Sequence, residues 1–184
     1  MSIREAGPSD AAAVASVHVR SWRAAYRGLV PDAYLDALDV GARAESWRDR
    51  LSAPDAPTVL VAEEGDLVAF SSFRPWSGGE LDPSVTAELS AFYAVPEVWG
   101  RGVGRELLAA TVTAMAAAGF RTAGLWVFEG NPRARAFYEA AGWRPDGTSV
   151  VEETGGRALA ELRYRSAPFA LTCPYGENGV SQYE

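Results

Sequence analysis

Residues 86–118 restrict the fold more than any other part of the chain. The run VTAELSAFYAV reads as a long strand and stops at Pro96. Glycines then occupy positions 100, 102 and 104, and an apolar helical pattern follows to about Ala118, ended by Gly119. A strand that passes through a glycine turn into a helix is a βα unit. Its turn leaves the first helical amides without partners, and the helix dipole makes that end attractive to an anion.

The flanking sequence supplies more strands and helices. Residues 2–5 read as a short strand. Asp10 is a plausible N-cap for a helix whose Ala11, Val14, Val17, His18, Ser21 and Ala25 share one face. Gly28 and Pro31 end it, and a second helix fits 32–51, with Tyr34, Leu35, Leu38, Trp47 and Leu51 as apolar positions. TVLVAEEGDLVAFSSFRPW reads as a hairpin around Glu64-Gly65-Asp66. TAGLWVF is a strand and NPRARAFYEAAG a capped helix, followed by strands at 148–154 and 157–164. The order β-αα-βββ-α-β-α-ββ predicts an α/β (α+β) domain with a mixed central sheet of about six to seven strands and helices on both faces. Residues 166–184 lack periodicity and read as a C-terminal tail on a domain spanning 1–165.

Composition decides which anion the glycines could hold. A P-loop needs a lysine after its glycines, and all 17 basic residues here are arginine. A dinucleotide fingerprint needs a third glycine three residues after Gly104, where Leu107 stands. A net charge of −7 argues against general nucleic-acid binding and mildly suits a cationic ligand. One cysteine, Cys173, and one histidine, His18, leave no basis for a disulfide framework or a multi-ligand metal centre. With no signal peptide and no apolar run of ~20 residues, the expected location is cytoplasmic, with no membrane partner. Backbone amides around Gly102, with Arg101 and Arg105 nearby, suit two adjacent phosphates; a tight strand-to-helix turn alone explains the glycines equally well.

A second motif separates these readings. GNPRARAFYEAAGW, residues 130–143, together with WGRGVG, residues 99–104, resembles the Gcn5-related N-acetyltransferase (GNAT) superfamily. That family's pyrophosphate loop is written Gln/Arg-x-x-Gly-x-Gly/Ala, and its later helix Asn-x-x-Ala-x-x-Phe-Tyr-x-x-x-Gly-Phe/Trp. Asn131, Ala134, Phe137, Tyr138, Gly142 and Trp143 fit every position of the second motif, while Trp99 replaces Gln or Arg in the first. The resemblance covers residues 2–165 and implies a GNAT fold with acetyl-CoA as acyl donor and no metal.

The resemblance also implies roles for residues. The pantetheine arm would lie beside Phe92, Tyr93, Ala94 and Val95, and the pyrophosphate on the amides of Arg101, Gly102, Val103, Gly104 and Arg105. Asn131 would reach the pantetheine, with Arg133 and Arg135 near the adenosine phosphates. Tyr138 would protonate the departing thiolate; the alternative is an aromatic core residue paired with Phe137. Glu88 is the expected general base, acting through water, and is equally a solvated strand carboxylate. Strand alternation sets Glu88, Ser90 and Phe92 on one face and Leu89, Ala91 and Tyr93 on the other. His18, Trp22 and Tyr26, at i, i+4 and i+8, are candidates for an acceptor pocket, with Phe73, Pro75 and Trp76 as the opposite wall; the alternative, favoured for Trp22, is that Trp22 and Tyr26 pack the helix onto the sheet with His18 as a satisfied partner. The implied reaction is direct transfer in a ternary complex to a primary amine: a small molecule, an antibiotic-like amine or a peptide N-terminus. The alternative is a GNAT-like protein that binds acyl-CoA without turnover. Dimers are common in the superfamily, so a homodimer is compatible with the resemblance.

Overall fold

The computed structural model describes residues 1–169. Strand β1 (Ser2–Glu5) leads through a turn into helices α1 (Ala11–Ala25), α2 (Asp32–Asp36) and α3 (Val40–Ser52). Strands β2 (Thr58–Glu64), β3 (Asp66–Pro75) and β4 (Thr86–Ala94) precede α4 (Val103–Ala117). Then come β5 (Thr122–Phe128), α5 (Pro132–Ala140), β6 (Arg144–Thr154) and β7 (Arg157–Arg165). All seven strands form one sheet in the order β1-β2-β3-β4-β5-β7-β6. Among the described residues only the β4–β5 pair is parallel, with α4 as its crossover; β1 and β2, also joined through helices, pair antiparallel.

Consecutive side chains on β3 mark the two faces. Phe70 packs against Trp47 of α3 and His18 of α1, whereas the next residue, Ser71, shares a 2.7 Å hydrogen bond with Thr111 of α4. Helices α1 and α3 thus cover one face, and α4 covers the other, where Phe137 and Tyr138 of α5 join the same cluster as Leu108 and Met115. Both layers are apolar: Val14, Val17, Val61 and Phe70 on one side, Leu125, Met115 and Tyr164 on the other, are essentially inaccessible.

Three local expectations change. The helix expected over 32–51 divides at Ala37–Asp39, because Asp39 adopts an extended conformation and caps α3 by accepting from Ala42 N–H at 2.7 Å. Asp10 does occupy the N-cap position of α1, but its carboxylate binds the Arg4 guanidinium and Gly7 N–H instead of the helix. Strand β6 begins at Arg144, four residues before the expected 148, with an irregularity between Pro145 and Ser149. At the other end, Ser166 and Phe169 hydrogen-bond to Ala123 and Arg121, extending the ordered contacts past β7. The rest of the expected tail, Cys173 included, lies outside the described residues.

Candidate active site

The site begins where β4 and β5 part. Thr86, Ala87 and Glu88 pair with Thr122, Ala123 and Gly124, and beyond them the strands splay. From Leu89 to Ala94, the side of β4 that faces β5 has no strand partner, which leaves its backbone groups open to a linear ligand, apart from Ala94 O, which accepts from the Trp99 indole. A cavity of about 880 Å³ fills the opening. Trp22 and Tyr26 line it from one face of the sheet, and Phe137 and Tyr138 from the other, so it passes through the splay.

A bulge re-aims the side chains along this edge. Ser72 pairs with Ala91 but Phe73 with Leu89, leaving Ser90 as the extra residue of β4. The expected alternation fails there. Phe92 turns toward α5, where its ring stacks on Phe137, while Tyr93 stacks on His18 of α1 at 4.9 Å. Glu88 and Phe92 consequently occupy opposite faces, and Glu88 shares its face with Tyr93. Phe92, Tyr93 and Ala94 all line the cavity. Val95 does not: it is 2% exposed, sits in the core, and spends its N–H on Val68 O.

At the start of α4, Gly100 and Gly102 have φ of 76° and 95°, a left-handed geometry that favours glycine. Gly104 differs: a Cβ there would rest 3.4 Å from the Phe137 ring, an ordinary contact, so neither its backbone nor its surroundings demand glycine. The first amide to bond inside the helix is that of Glu106, to Gly102 O. The amides of Gly102, Val103, Gly104 and Arg105 have no acceptor among the described residues and form an anion nest at the positive end of the helix. Arg101 leaves the expected set. Its N–H closes the turn onto Val98 O at 3.3 Å, and its side chain pairs with Glu64.

Trp99 takes on a task of its own. Its indole N–H donates to Ala94 O at 2.8 Å, and the Arg133 guanidinium lies 3.8 Å above its ring. This cation–π contact holds Arg133 at the rim of the cavity beside Arg105. Arg135 instead bonds to Tyr164 and Glu129 O, away from the site. Asn131 lines the cavity and also caps α5, accepting from Ala134 N–H at 3.1 Å. The turn, the nest, the free β4 edge and the two arginines together suit an extended ligand with adjacent phosphates.

Tyr138 is 7% exposed, held by Phe92, Phe137 and Trp143, and its hydroxyl has no hydrogen-bond partner among the described residues. Burial raises its pKa well above the usual phenol range, with Tyr93 adding to the effect. Tyr26 and Tyr93 are raised as well, chiefly by burial, and Tyr26 feels both Tyr93 and Tyr138. The three phenols therefore converge in the splay, all protonated at neutral pH. Trp22 Nε1 is buried beside the Tyr93 hydroxyl without the geometry of a hydrogen bond. Glu88 lines the cavity, with Oε2 accepting from Arg74 Nε at 3.0 Å and Ser77 Oγ at 2.7 Å.

Of the expected acceptor residues, Trp22 and Tyr26 line the cavity and His18, Phe73 and Trp76 do not. Phe73 points to the α4 layer, where it meets Phe120. Trp76 lies flat over Gly124, so close that a Cβ there would come within 2.6 Å of its ring. The opposite wall is instead built by Trp126 and Phe128 of β5 and Glu161 of β7, which follow one another on that face. Glu161 carried no distinguishing signal in the sequence: β7 alternates charged and apolar residues, as any half-buried strand does.

His18 is a structural residue. Its Nδ1 accepts from Trp47 Nε1 at 3.2 Å, and burial, aided by Arg43 and Arg50, pushes its pKa down to about 3 from 6.5. Above pH 6.5 both folded and unfolded chains hold a neutral imidazole. Below that, the unfolded chain takes up a proton that the folded one refuses until about pH 3, so stability falls with pH across this window. From about pH 6.5 to about pH 5, urea denaturation should show the wild type losing about 2 kcal/mol more than His18→Gln.

Among the described residues no helix is long and apolar enough to cross a membrane, and no three His, Cys, Asp or Glu residues gather as a metal site. The family model described as Acetyltransferase (GNAT) family matches residues 19–143. The uncharacterized N-acetyltransferase YuaI of Bacillus subtilis (strain 168) is 34% identical over 142 residues, covering 76% of this chain and 78% of that protein. The ribosomal-protein-alanine N-acetyltransferase of Brucella melitensis superposes with a TM-score of 0.70 at 25% identity, covering 90% of this chain and 99% of that one. YncA of Salmonella typhimurium, solved with acetyl-CoA, superposes with a TM-score of 0.67 at 20% identity over 97% and 98% of the two chains. By its motifs, its splayed β4–β5 pair and these matches, the chain belongs to the GNAT acetyltransferase family.

Proposed function

We propose that the protein transfers an acetyl group from acetyl-CoA to a primary amine, with both substrates bound at once. The observation that carries this reading is the continuity of one cavity from the amide nest of α4, along the free edge of β4, to the Tyr138 hydroxyl. Acetyl-CoA supplies an activated thioester, and YncA, which shares the fold, was solved with that molecule. The amides from Gly102 to Arg105 would take the pyrophosphate, with Arg105 and Arg133 adding charge. The unpaired edge of β4 would hold the pantetheine and aim a backbone N–H at the thioester oxygen.

Alkyl ammonium groups titrate near ~10, so the acceptor must lose a proton before it attacks. Glu88 would take that proton through a water molecule at its Oε1, since both of its protein partners address Oε2. As the new C–N bond forms and the C–S bond breaks, Tyr138 would give its phenolic proton to the sulfur. Burial keeps that proton in place until it is needed.

Thiol release from acetyl-CoA over a panel of primary amines tests the reading. A saturable rate with at least one amine is expected, and Glu88→Gln should lower kcat/KM by about 10²-fold, the scale of general base catalysis. Acetyl-CoA binding with no turnover on any amine would overturn the proposal in favour of an acyl-CoA-binding protein.

A further inference from the structure

Charge is divided across the cavity. Among the described residues, four ionisable ones other than tyrosine line it: Arg105 and Arg133 beside the nest on the α4–α5 side, and Glu88 and Glu161 on the α1–α2 side. Arg74 already neutralises Glu88. Glu161 has no ion-pair or hydrogen-bond partner among the described residues, although it is only partly exposed. It pairs in register with Phe128, whose ring makes a T-shaped contact with Tyr26 at 5.1 Å, and Tyr26 in turn meets Trp22 at 5.0 Å. Burial and the nearby Glu152 raise the pKa of Glu161, as expected for a carboxylate that lacks a counter-ion. Such a group is costly to keep in an aromatic-walled cavity unless a cation fills the space beside it. The faces of these rings favour the same occupant.

That cation is not the nitrogen that reacts. The attacking nitrogen must become neutral and leaves as an amide, so it cannot remain paired with a carboxylate through turnover. Glu88 lies opposite Gly124 and Glu161 opposite Phe128, four residues apart and therefore roughly 13 Å along β5. One ammonium group cannot satisfy both. We infer that Glu161, with Trp22, Tyr26 and Phe128, forms a cation subsite for a second positive charge on the acceptor, so that the preferred acceptors are diamines or amines bearing another cationic group. This inference rests on the acetyltransferase reading above and assigns the acceptor side of the same cavity.

Equilibrium binding to the protein saturated with CoA tests it without requiring turnover. The probes are 1,5-diaminopentane and 5-aminopentan-1-ol, which differ only in the charge at one end. Calorimetry should show the diamine binding at least tenfold more tightly, and Glu161→Gln should abolish that preference while CoA binds as before. Retained CoA affinity also shows that the variant is folded. Equal affinity for the two probes, no binding of the diamine, or a preference that survives in Glu161→Gln would overturn the subsite. If CoA itself fails to bind the wild type, the acetyltransferase reading falls first, and the subsite with it.

Discussion

Tyr138→Phe is expected to lower kcat by about 10²-fold or more while leaving acetyl-CoA affinity unchanged. The ring is clamped by Phe92, Phe137 and Trp143, and the hydroxyl makes no hydrogen bond to the described protein, so phenylalanine fills the same space and breaks no internal contact. What disappears is the proton for the departing thiolate. Because burial raises the Tyr138 pKa, wild-type kcat should not fall on the alkaline side until pH exceeds the ordinary tyrosine range near 10. Steady-state kinetics with a thiol-reactive dye, beside a calorimetric titration of CoA, separates the two effects. Undiminished turnover in the variant at every pH would remove Tyr138 as the acid.

Gly102→Ala should act on the donor side instead. Gly102 holds φ at 95° where the turn meets α4, and an alanine forced into left-handed geometry costs about 1–2 kcal/mol. The backbone can relieve that strain only by rotating the amides that make the nest. A weaker acetyl-CoA complex is therefore expected, with Kd raised about tenfold or more, alongside a lower melting temperature. At saturating acetyl-CoA, kcat should change little, because Tyr138 and Glu88 lie outside the turn. Calorimetry and saturation kinetics together check this, and an unchanged Kd would show that the nest does not hold the pyrophosphate.

The donor half of the site was readable in the sequence because its signals are local. Alternate glycines ahead of a helix report a backbone turn, and Asn131 with Phe137-Tyr138 reports a capped helix of known spacing. The order of strands and helices was legible for the same reason, from periodicities of two and 3.6. The errors arise where one residue changes a register or a partner. Ser90 carries no mark of a bulge, yet it moves Phe92 to the face opposite Glu88. Asp39 caps α3, yet the apolar spacing of Leu35, Leu38 and Trp47 runs across it and suggests one helix. The acceptor half was the least legible. Glu161 comes from β7, Phe128 from β5 and Trp22 from α1, and only strand pairing brings them together. Phe73 and Trp76 were misassigned for the same reason: nothing local shows that Gly124 leaves room for the Trp76 ring.

Whether the splay between β4 and β5 holds acetyl-CoA can be tested before any acceptor is known. Thermal melting should be followed at rising concentrations of acetyl-CoA. At 100 times Kd, a ligand that binds only the folded chain adds about 2.7 kcal/mol, so the melting temperature should climb steadily with concentration. The increase should be blunted in Gly102→Ala. A wild-type melting temperature that stays constant up to millimolar acetyl-CoA would show that the splay does not hold the donor.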